Sequence, residues 1–569
     1  MFQDDFIGME MCFLLDIDYL GMLYRFSTIP IDLTDLSELS TVRYNGGLDD
    51  PDISQSTSFV GSEIESDSVS LELVFFNLDW VKEWLGGRSL AFSQARLFCV
   101  PILEEKTSYT IQERIELFSG KVTDPIYGDP TKPKGWISFS IQNDLSVQNV
   151  KLLEGNNEIT RNRFPTPVTD GIYGKYAPFI LGKPGIIIQA GSSKSIEFVN
   201  KYPTTPAYRV YFRRTLGPYE ENIRFLIANH DVKASIGRIY DPKGGSFRNP
   251  ILQDVDDEGN IYSYINLRFT GAGPVVLEYD NFQQLAIDAD GNLVELWNEY
   301  YASWGEEDGG FSQDFLSGAL TKGGDICLYV LDKLKLEYDY DAWVGLLPIL
   351  NRYEFSGYMD DYEVIAWDWL RENIISYLPI EVVNSAGGIT PNLNLYFYSQ
   401  TPETQYTIIE NGQFEIITGI QPLDQPIVNH LTIKFCYSLA YDSYQSSIIV
   451  DPRITEEQAL IVNDPVARLS FQRFGLREEV LELPFVWDLK TAFRIARDKI
   501  RVRGLGAKAI EVSATPRYSY LGIGDIISLS SDIGLENHKC QIIGKSWDDN
   551  RWRFVLHIEE NPIINPRGL

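Results

Sequence analysis

The sequence is poor in the side chains that most often perform catalysis or build covalent cross-links. Its histidines and cysteines are His230, His430, His538, His557, Cys12, Cys99, Cys327, Cys436 and Cys540. No histidine stands in an HExxH context and no GxSxG elbow is present, so neither a zinc-protease helix nor a hydrolase nucleophile is predicted. The cysteines are odd in number and far apart, which favours buried free thiols over a disulfide framework or metal knuckle.

Long apolar runs and positive charge are also scarce. The longest apolar runs, such as Gly185 to Ile188 and Val344 to Leu350, are far shorter than the ~20 residues that a membrane-spanning helix needs. Lys plus Arg total 49 against 80 for Asp plus Glu, which gives a net charge of −31. Such a charge repels phosphate backbones. We therefore expect neither specific nucleic-acid binding nor a membrane span, and the acidic first residues predict no secretion signal.

Material for packed cores is abundant. Hydrophobic residues make up 44% and aromatic residues 13% of the 569 residues, and a chain of this length is expected to form several domains. Apolar and polar residues alternate at Val69 to Phe75, and the runs Ile115 to Val122 and Trp136 to Ile141 predict a hairpin. The predicted fold class is therefore mainly β with a minor α segment, as several small β-barrels or sandwiches plus a helical block.

Changes in residue pattern along the chain predict domain boundaries. Pro and Gly, which interrupt regular secondary structure, are frequent between the first two β-regions. Near Gly309 the spacing of the hydrophobic residues changes from that of a strand to that of a helix. The predicted segments are a β-domain at 1–148, a Pro- and Gly-rich crossing segment at 149–184, a second β-domain or insertion at 185–308, a helical block at 309–379, a β-domain at 380–484, and a helix with a C-terminal barrel-like β-domain at 485–569.

Helices are predicted at few places. In the helical block they cover 325–334, with Asp325 as the cap, 342–352 and 362–378. A short helix is predicted from Asp79 to Gly86. No further sustained helix is expected until Asp488 caps one that ends near Arg503. The apolar face of that last helix is Leu489, Ala492, Phe493, Ala496 and Ile500.

Acidic turns give the sharpest local signal for a metal. Asp254 and Asp256 begin a pattern like that of a calcium loop, but the twelfth position is Ile265, which cannot supply the closing carboxylate. Asp288 and Asp290 form a shorter version. Solvated β-turns are the favoured interpretation, calcium binding stays open, and we predict no dedicated metal or cofactor site.

Neighbouring carboxylates leave a hydrolase open as an alternative. Glycoside hydrolysis needs two carboxyl groups at a set spatial separation, which sequence alone does not give. The acidic neighbours are Glu306, Glu307, Asp308, Asp360, Asp361 and Glu363. Because acids are so frequent in this chain, solvated loops or helix starts are the favoured interpretation.

Two groups of side chains are candidates for a partner interface. Aromatic residues are enriched in interface cores, and Arg pairs well with carboxylates of a neighbouring protein. The candidates are Trp297, Tyr300, Tyr301, Trp304, Arg494, Arg497 and Arg501. The same aromatics would also suit sugar stacking in a glycan-binding receptor module.

Three segments together carry a likeness to one known family. The first is "IELFSGKVTDPIYGDPTKPKGWISFSIQND", in which a strand with an FxGxV pattern leads through a variable loop to a second strand. The second begins "GGDICLYVLDKL" and continues through "LLPILNRYEFSGYMDD". The third joins "DLKTAFRIARDKI" to "YLGIGDIISLSS", "CQIIGKSW" and "RWRFVLHI". The region from Gly185 to Trp304 matches only loosely.

These segments resemble the hub proteins of bacteriophage tail tips and baseplates, and the resemblance implies a structural role. It implies a homotrimer whose tube-like β-domains, two per chain, form a pseudo-sixfold ring around the DNA exit channel. The implied partners are a distal tail protein, the tape-measure protein and a central fibre or spike. It implies no catalytic residue, no cofactor and no metal, and a protein assembled in the host cytoplasm and located at the tail tip of a virion. The alternatives are a tail-associated cell-wall hydrolase and a glycan-binding receptor module.

Overall fold

The fold is mainly β with a minor helical part, as predicted. The structure is a computed structural model. It describes residues 10–56, 68–74, 89–142, 150–182, 187–271, 286–304, 320–394 and 406–558, apart from short gaps within these ranges.

The N-terminal strands are built around one strand that is buried on both faces. They are β1 (Glu10–Tyr19), β2 (Met22–Ser27), β3 (Ile31–Asp35), β4 (Ser40–Gly46), β5 (Asp52–Ser56), β6 (Ser68–Val74), β7 (Gln94–Ile102), β8 (Tyr109–Thr110), β9 (Ile115–Tyr127) and β10 (Trp136–Gln142). Phe13 and Leu15 of β1 enter a large core, whereas Cys12 and Leu14 enter a smaller one behind it. This two-sided burial explains why β1 is a nearly continuous apolar run.

The region from Phe179 to Trp304 forms further strands. They are β11 (Phe179–Leu181), β12 (Ile187–Ala190), β13 (Ile196–Val199), β14 (Thr205–Pro206), β15 (Tyr208–Thr215), β16 (Tyr219–Ala228), β17 (Ile236–Tyr240), β18 (Ser246–Val255), β19 (Ile261–Gly271), β20 (Ala286–Ile287), β21 (Leu293–Val294) and β22 (Tyr301–Trp304). One sheet has the strand order β14-β22-β17-β18-β19-β16-β15. The predicted strands at 208–213 and 261–269 are confirmed, and the one at 274–279 lies outside the described residues.

Helices and short strands follow. They are α1 (Gly323–Leu334), α2 (Tyr340–Leu350), β23 (Gly357–Met359), α3 (Ala366–Asn373), β24 (Ile380–Ser385) and β25 (Gly388–Leu393). Asp339 caps α2, because its side chain accepts from the backbone N–H of Ala342 at 2.9 Å. Asp325 was predicted to cap α1, but it lies inside the first turn, buried, where its carboxylate accepts from Asn351 at 3.0 Å.

The last part of the chain alternates strands with two helices. The elements are β26 (Tyr406–Ile409), β27 (Phe414–Ile416), β28 (Gln421–Pro422), β29 (His430–Ser438), β30 (Ser443–Val450), β31 (Ile461–Val462), α4 (Pro465–Phe474), β32 (Glu478–Leu483), α5 (Leu489–Arg503), β33 (Lys508–Ala514), β34 (Ile526–Ser531), β35 (Leu535–Asp548) and β36 (Arg551–Ile558). The predicted hairpin turn at Asp548 to Asn550 is confirmed, and Asp549 and Asn550 have positive φ values of 49° and 60°.

Some helix predictions were wrong. Helix α4 lies where only strands were expected, and it begins with Asp464, whose carboxylate accepts from the N–H groups of Val466 and Ala467. The third predicted helix is shorter than 362–378, since α3 is followed by a separate 3₁₀ turn, Ile375–Tyr377. The crossing segment contains the short strand β11. The helix predicted from Asp79 lies outside the described residues.

The two ends of the chain share one sheet and one core. Strand β5 pairs with β35 through Ser56 opposite Gly544 and Ser54 opposite Ser546. The large core that holds Phe13 also holds Trp552 and Phe554 of β36. A second core combines helices α1 to α5 with β24, β25, β29 and β30. The segment boundaries predicted from the sequence stay a prediction, and these cores each combine several of the segments.

Candidate interface surfaces

The acidic groups considered for hydrolysis are partly described. Asp361 accepts from the backbone N–H of Glu363 at 2.9 Å, and the carboxylate of Glu363 pairs with Nζ of Lys151 at 2.5 Å. The side chain of Glu363 is 79% exposed. This arrangement is a solvent-exposed surface turn. The high dielectric constant of the surrounding water weakens the electrostatic interactions between its carboxylates, on which a catalytic carboxyl pair depends. Glu306, Glu307 and Asp308 lie outside the described residues.

The acidic turn considered for calcium is only partly described as well. The carboxylate of Asp254 accepts from Arg224 at 3.3 Å, so a cation there would compete with a guanidinium. Asp256, Asp288 and Asp290 lie outside the described residues. Among the residues whose placement is described, no three or more His, Cys, Asp or Glu side chains form a group able to hold a metal ion.

The cysteines and the described histidines have structural surroundings. All five cysteines are buried free thiols, as predicted. His230 accepts at Nε2 from the backbone N–H of Ile180 at 3.1 Å, and burial lowers the pKa of His557 to about 3. No helix within the described ranges is long and apolar enough to cross a membrane.

The aromatic candidate group falls within the described residues only at its C-terminal end. Tyr301 and Trp304 are the first and last residues of β22, and they pair with Tyr240 and Gly237 of β17. These backbone pairs place β22 between β14 and β17, so it is not an edge strand of the sheet. Trp297 and Tyr300 lie outside the described residues, so their role at an interface stays a prediction.

Helix α5 carries three of its four arginines on a face opposite its buried one. Asp488 caps the helix by accepting from the N–H of Thr491 at 2.7 Å. Ala492, Ile495, Ala496 and Ile500 are buried, whereas the predicted core residue Phe493 is only half-buried. Steps of four and three residues align the basic stripe, which consists of Lys490, Arg494, Arg497 and Arg501.

The members of the basic stripe differ in how firmly they are held. Arg494 donates to the backbone carbonyl of Arg352, so this residue braces α5 against the end of α2. Arg497 is exposed and Arg501 is half-buried. Arg503, off the stripe, pairs with both carboxylate oxygens of Glu479, at 2.9 and 2.7 Å. Of the three arginines in the stripe, Arg497 and Arg501 are therefore better placed than Arg494 to meet a partner.

An acidic residue sits among these arginines. Asp498 accepts a 2.6 Å hydrogen bond from the hydroxyl of Tyr353. Burial raises the pKa of Asp498 to about 6, although that hydrogen bond and the nearby arginines act in the opposite direction. Near neutral pH Asp498 is mainly ionised, and its one negative charge cancels only part of the positive potential of the stripe.

A second surface was not foreseen from the sequence. It is an apolar rim of exposed large side chains at one end of the N-terminal sheet, and its members are Leu20, Met22, Leu23, Leu36, Leu39, Phe92 and Ile126. Leu39 is 89% exposed, Leu20 69% and Phe92 68%. Single exposed apolar residues are ordinary, but several together at one end of a sheet are characteristic of a contact surface.

The strand registers bring the rim together. The β1–β7 ladder ends with Asp18 opposite Gln94, so Leu20 and Phe92 each lie two residues beyond the same end of this ladder. The backbone N–H of Phe92 donates to the carbonyl of Val122 at 2.8 Å, so the part of β9 beyond Val122, with Ile126, extends past the same end.

The β3–β4 turn belongs to the same end of the sheet. Strands β2 and β4 are parallel, with Phe26 opposite Asn45, so both begin on the same side. The turn before β4 carries Leu36 and Leu39, and the turn before β2 carries Leu20. The sequence held one usable signal, because leucine occupies turn positions where Gly, Asn or Asp is usual.

Comparison with known proteins gives distant structural likenesses. No protein-family model matches the sequence, and no curated protein matches it. A chain of the virion of a native gene transfer agent particle is similar with a TM-score of 0.36 and 9% identity, covering 68% of this chain and 85% of that chain. The prophage tail protein gp18 from Listeria monocytogenes EGD-e has a TM-score of 0.23 and 8% identity, covering 67% and 96% respectively. Both TM-scores are below 0.5, so the assignment below depends on the chain's own residues.

Proposed function

We propose that this chain is a non-enzymatic structural hub of a phage tail tip or baseplate. It forms a homotrimeric ring around the DNA exit channel and joins the tail tube to the distal tail protein and to a central fibre or spike. The tape-measure protein ends in its lumen, and the assembled ring lies in the virion.

The observation that carries the proposal is the union of the two ends of the chain. The β5–β35 pairing and the shared core hold the N-terminal and C-terminal β-strands of each copy side by side. Two joined β-units per chain are what a pseudo-sixfold ring of three copies requires. The first segment that resembles tail hubs also has the strand order expected of it. FSGKV lies in the strand β9, and the second strand, after the loop, is β10.

The charge distribution supports a ring through which DNA slides. With a net charge of −31, a lumen lined by carboxylates would repel phosphates and disfavour adsorbed states. The basic stripe of α5 would then face away from the channel. There it would meet acidic surface on a neighbouring copy, where Arg makes paired hydrogen bonds with carboxylates.

Mass photometry of the purified full chain tests the ring. We expect a species of about three times 64.8 kDa, the mass of one chain. A protein that stays monomeric across the accessible concentration range would contradict the hub. Electron microscopy of assembled tails would then locate the ring directly, and arginines 497 and 501 facing the lumen would contradict the proposed orientation.

The absence of enzymatic activity is tested separately. We expect the full chain to release no fragments from purified peptidoglycan or host polysaccharide. Hydrolysis that is lost in Glu306→Gln, Glu307→Gln or Asp308→Asn, and kept in Glu372→Gln as the matched surface control, would favour the cell-wall hydrolase instead.

A further inference from the structure

We infer that the apolar rim is the surface through which this chain binds a second copy of itself. The inference deepens the proposed ring, because it names the surface that joins the copies, and it rests on the proposed self-association. It concerns residues of β2 and β9, of the β1–β2 and β3–β4 turns and of the segment just before β7, at a distance in sequence from the basic stripe of α5.

The size of the rim matches what an interface requires. A stable interface buries about 800 Å² on each partner, and a fully covered aromatic side chain contributes on the order of 150–250 Å², with Leu, Ile and Met contributing somewhat less. At exposures between 49% for Leu23 and 89% for Leu39, the rim offers apolar area of that order. Left in water, this area would be a liability for a protein that must stay soluble before assembly.

Backbone conformation gives an independent argument. Leu20, Leu39 and Phe92 have positive φ values of 53°, 50° and 69°. A bulky residue in this region is uncommon, since its Cβ crowds the backbone, and Gly, Asn or Asp would fit with less strain. These positions are thus unfavourable twice, in backbone conformation and in exposure to water. A contact between these side chains and a partner would account for both penalties.

Charge around the rim distinguishes a protein partner from a membrane. The carboxylates of Asp18, Glu38 and Asp124 are exposed at the same end of the sheet. They would repel an anionic lipid surface. Between two acidic copies they would weaken association at low salt, so added salt should strengthen a contact made by the rim. Ion pairs of the α5 stripe would respond in the opposite direction.

The test is a triple variant, Leu20→Asn/Leu39→Asn/Phe92→Asn. Asparagine tolerates positive φ, so the turns keep their conformation while the apolar side chains are removed. The matched control is Leu252→Thr/Val255→Thr/Val480→Thr, which alters exposed apolar residues of β18 and β32. Sedimentation velocity of the full-length proteins at 0.05, 0.15 and 0.5 M NaCl gives the oligomer and its dissociation constant, and circular dichroism with thermal melting checks folding.

We expect the dissociation constant of the wild type to fall with added salt, the rim variant to associate at least tenfold more weakly, and the control to behave as wild type. A trimer that persists unchanged in the folded rim variant would overturn the inference and leave the hub intact. A dimer lost in the variant would support the rim and contradict the homotrimer. A wild type that is monomeric throughout would overturn the inference. So would a wild type that floats with phosphatidylcholine or phosphatidylglycerol vesicles while the rim variant does not.

Discussion

Replacing Lys545 with methionine probes the junction between the two ends of the chain. Lys545 lies on β35 opposite Gln55 of β5, is buried, and donates through Nζ to the backbone carbonyls of Ser519 and Leu521 at 2.8 and 2.7 Å. Its ammonium group also lies 4.4 Å from the ring centroid of Trp552. Burial lowers the pKa of Lys545 to about 8, against a weaker opposing influence of Cys99 and Asp525.

The sign of the pH dependence follows from that lowered pKa. Between about pH 8 and pH 10.5 the unfolded chain binds a proton at this lysine that the folded chain has released. The free energy of unfolding therefore gains a contribution as the pH rises through this window. A difference of this size between the folded and unfolded pKa corresponds to about 3 kcal/mol.

The variant also leaves two buried carbonyls without their donor, at about 1–3 kcal/mol each. At pH 7 this loss is opposed by a gain, because the variant no longer buries a charged ammonium group. The stability difference at a single pH is therefore a poor measure of either effect. The informative quantity is the free energy of unfolding of the wild type minus that of Lys545→Met, followed against pH.

Urea unfolding at intervals from pH 7 to pH 10.5 measures this difference. We expect it to increase by about 3 kcal/mol in favour of the wild type, mostly above pH 8. Lys508→Met, at an exposed position of β33, serves as the matched Lys-to-Met control for the loss of a lysine side chain at the surface. Parallel pH curves for the wild type and Lys545→Met would refute the reasoning, because Lys545 would then titrate alike in both states.

Further predictions concern three other sites. Ile495→Ala removes a buried side chain of α5 and should cost about 2–5 kcal/mol, whereas the half-buried Phe493→Ala should cost less, and equal losses in thermal melting would contradict this packing. Because the folded pKa of His557 is lowered to about 3, stability should fall as the pH drops below 6.5, and His557→Gln should reduce that acid slope in denaturant titrations. Arg497→Glu/Arg501→Glu should weaken the trimer in mass photometry, more at 0.05 M than at 0.5 M salt; an effect independent of salt would exclude ion pairing.

Local features of the fold were predictable from the sequence because local chemistry determines them. The Asp488 cap, the strands β9 and β10, and the turn at Asp549 and Asn550 follow from residue types at fixed spacing. Helix α4 was predictable by the same rules, since Asp464 and Pro465 form a helix start and Gly475 a stop, but the surrounding strands favoured a β interpretation.

Long-range features were not predictable in this way. The pairing of β5 with β35 joins residues from opposite ends of the chain, and no local pattern in either strand specifies its partner. The apolar rim was missed for a related reason. Its leucines are distributed over separate turns, and only the registers of β1, β7, β2 and β4 show that these turns lie at the same end of the sheet.

The β5–β35 pairing also has a consequence for synthesis on the ribosome. At about 5–20 residues per second, strand β5 emerges roughly half a minute to two minutes before β35 exists. During that interval one edge of the N-terminal sheet lacks its final neighbour, and open edges invite aggregation and chaperone binding. A nascent chain that terminates before β35 never closes this edge and never completes the core around Trp552. Such fragments should be degraded, so that only chains translated through β36 are available for assembly.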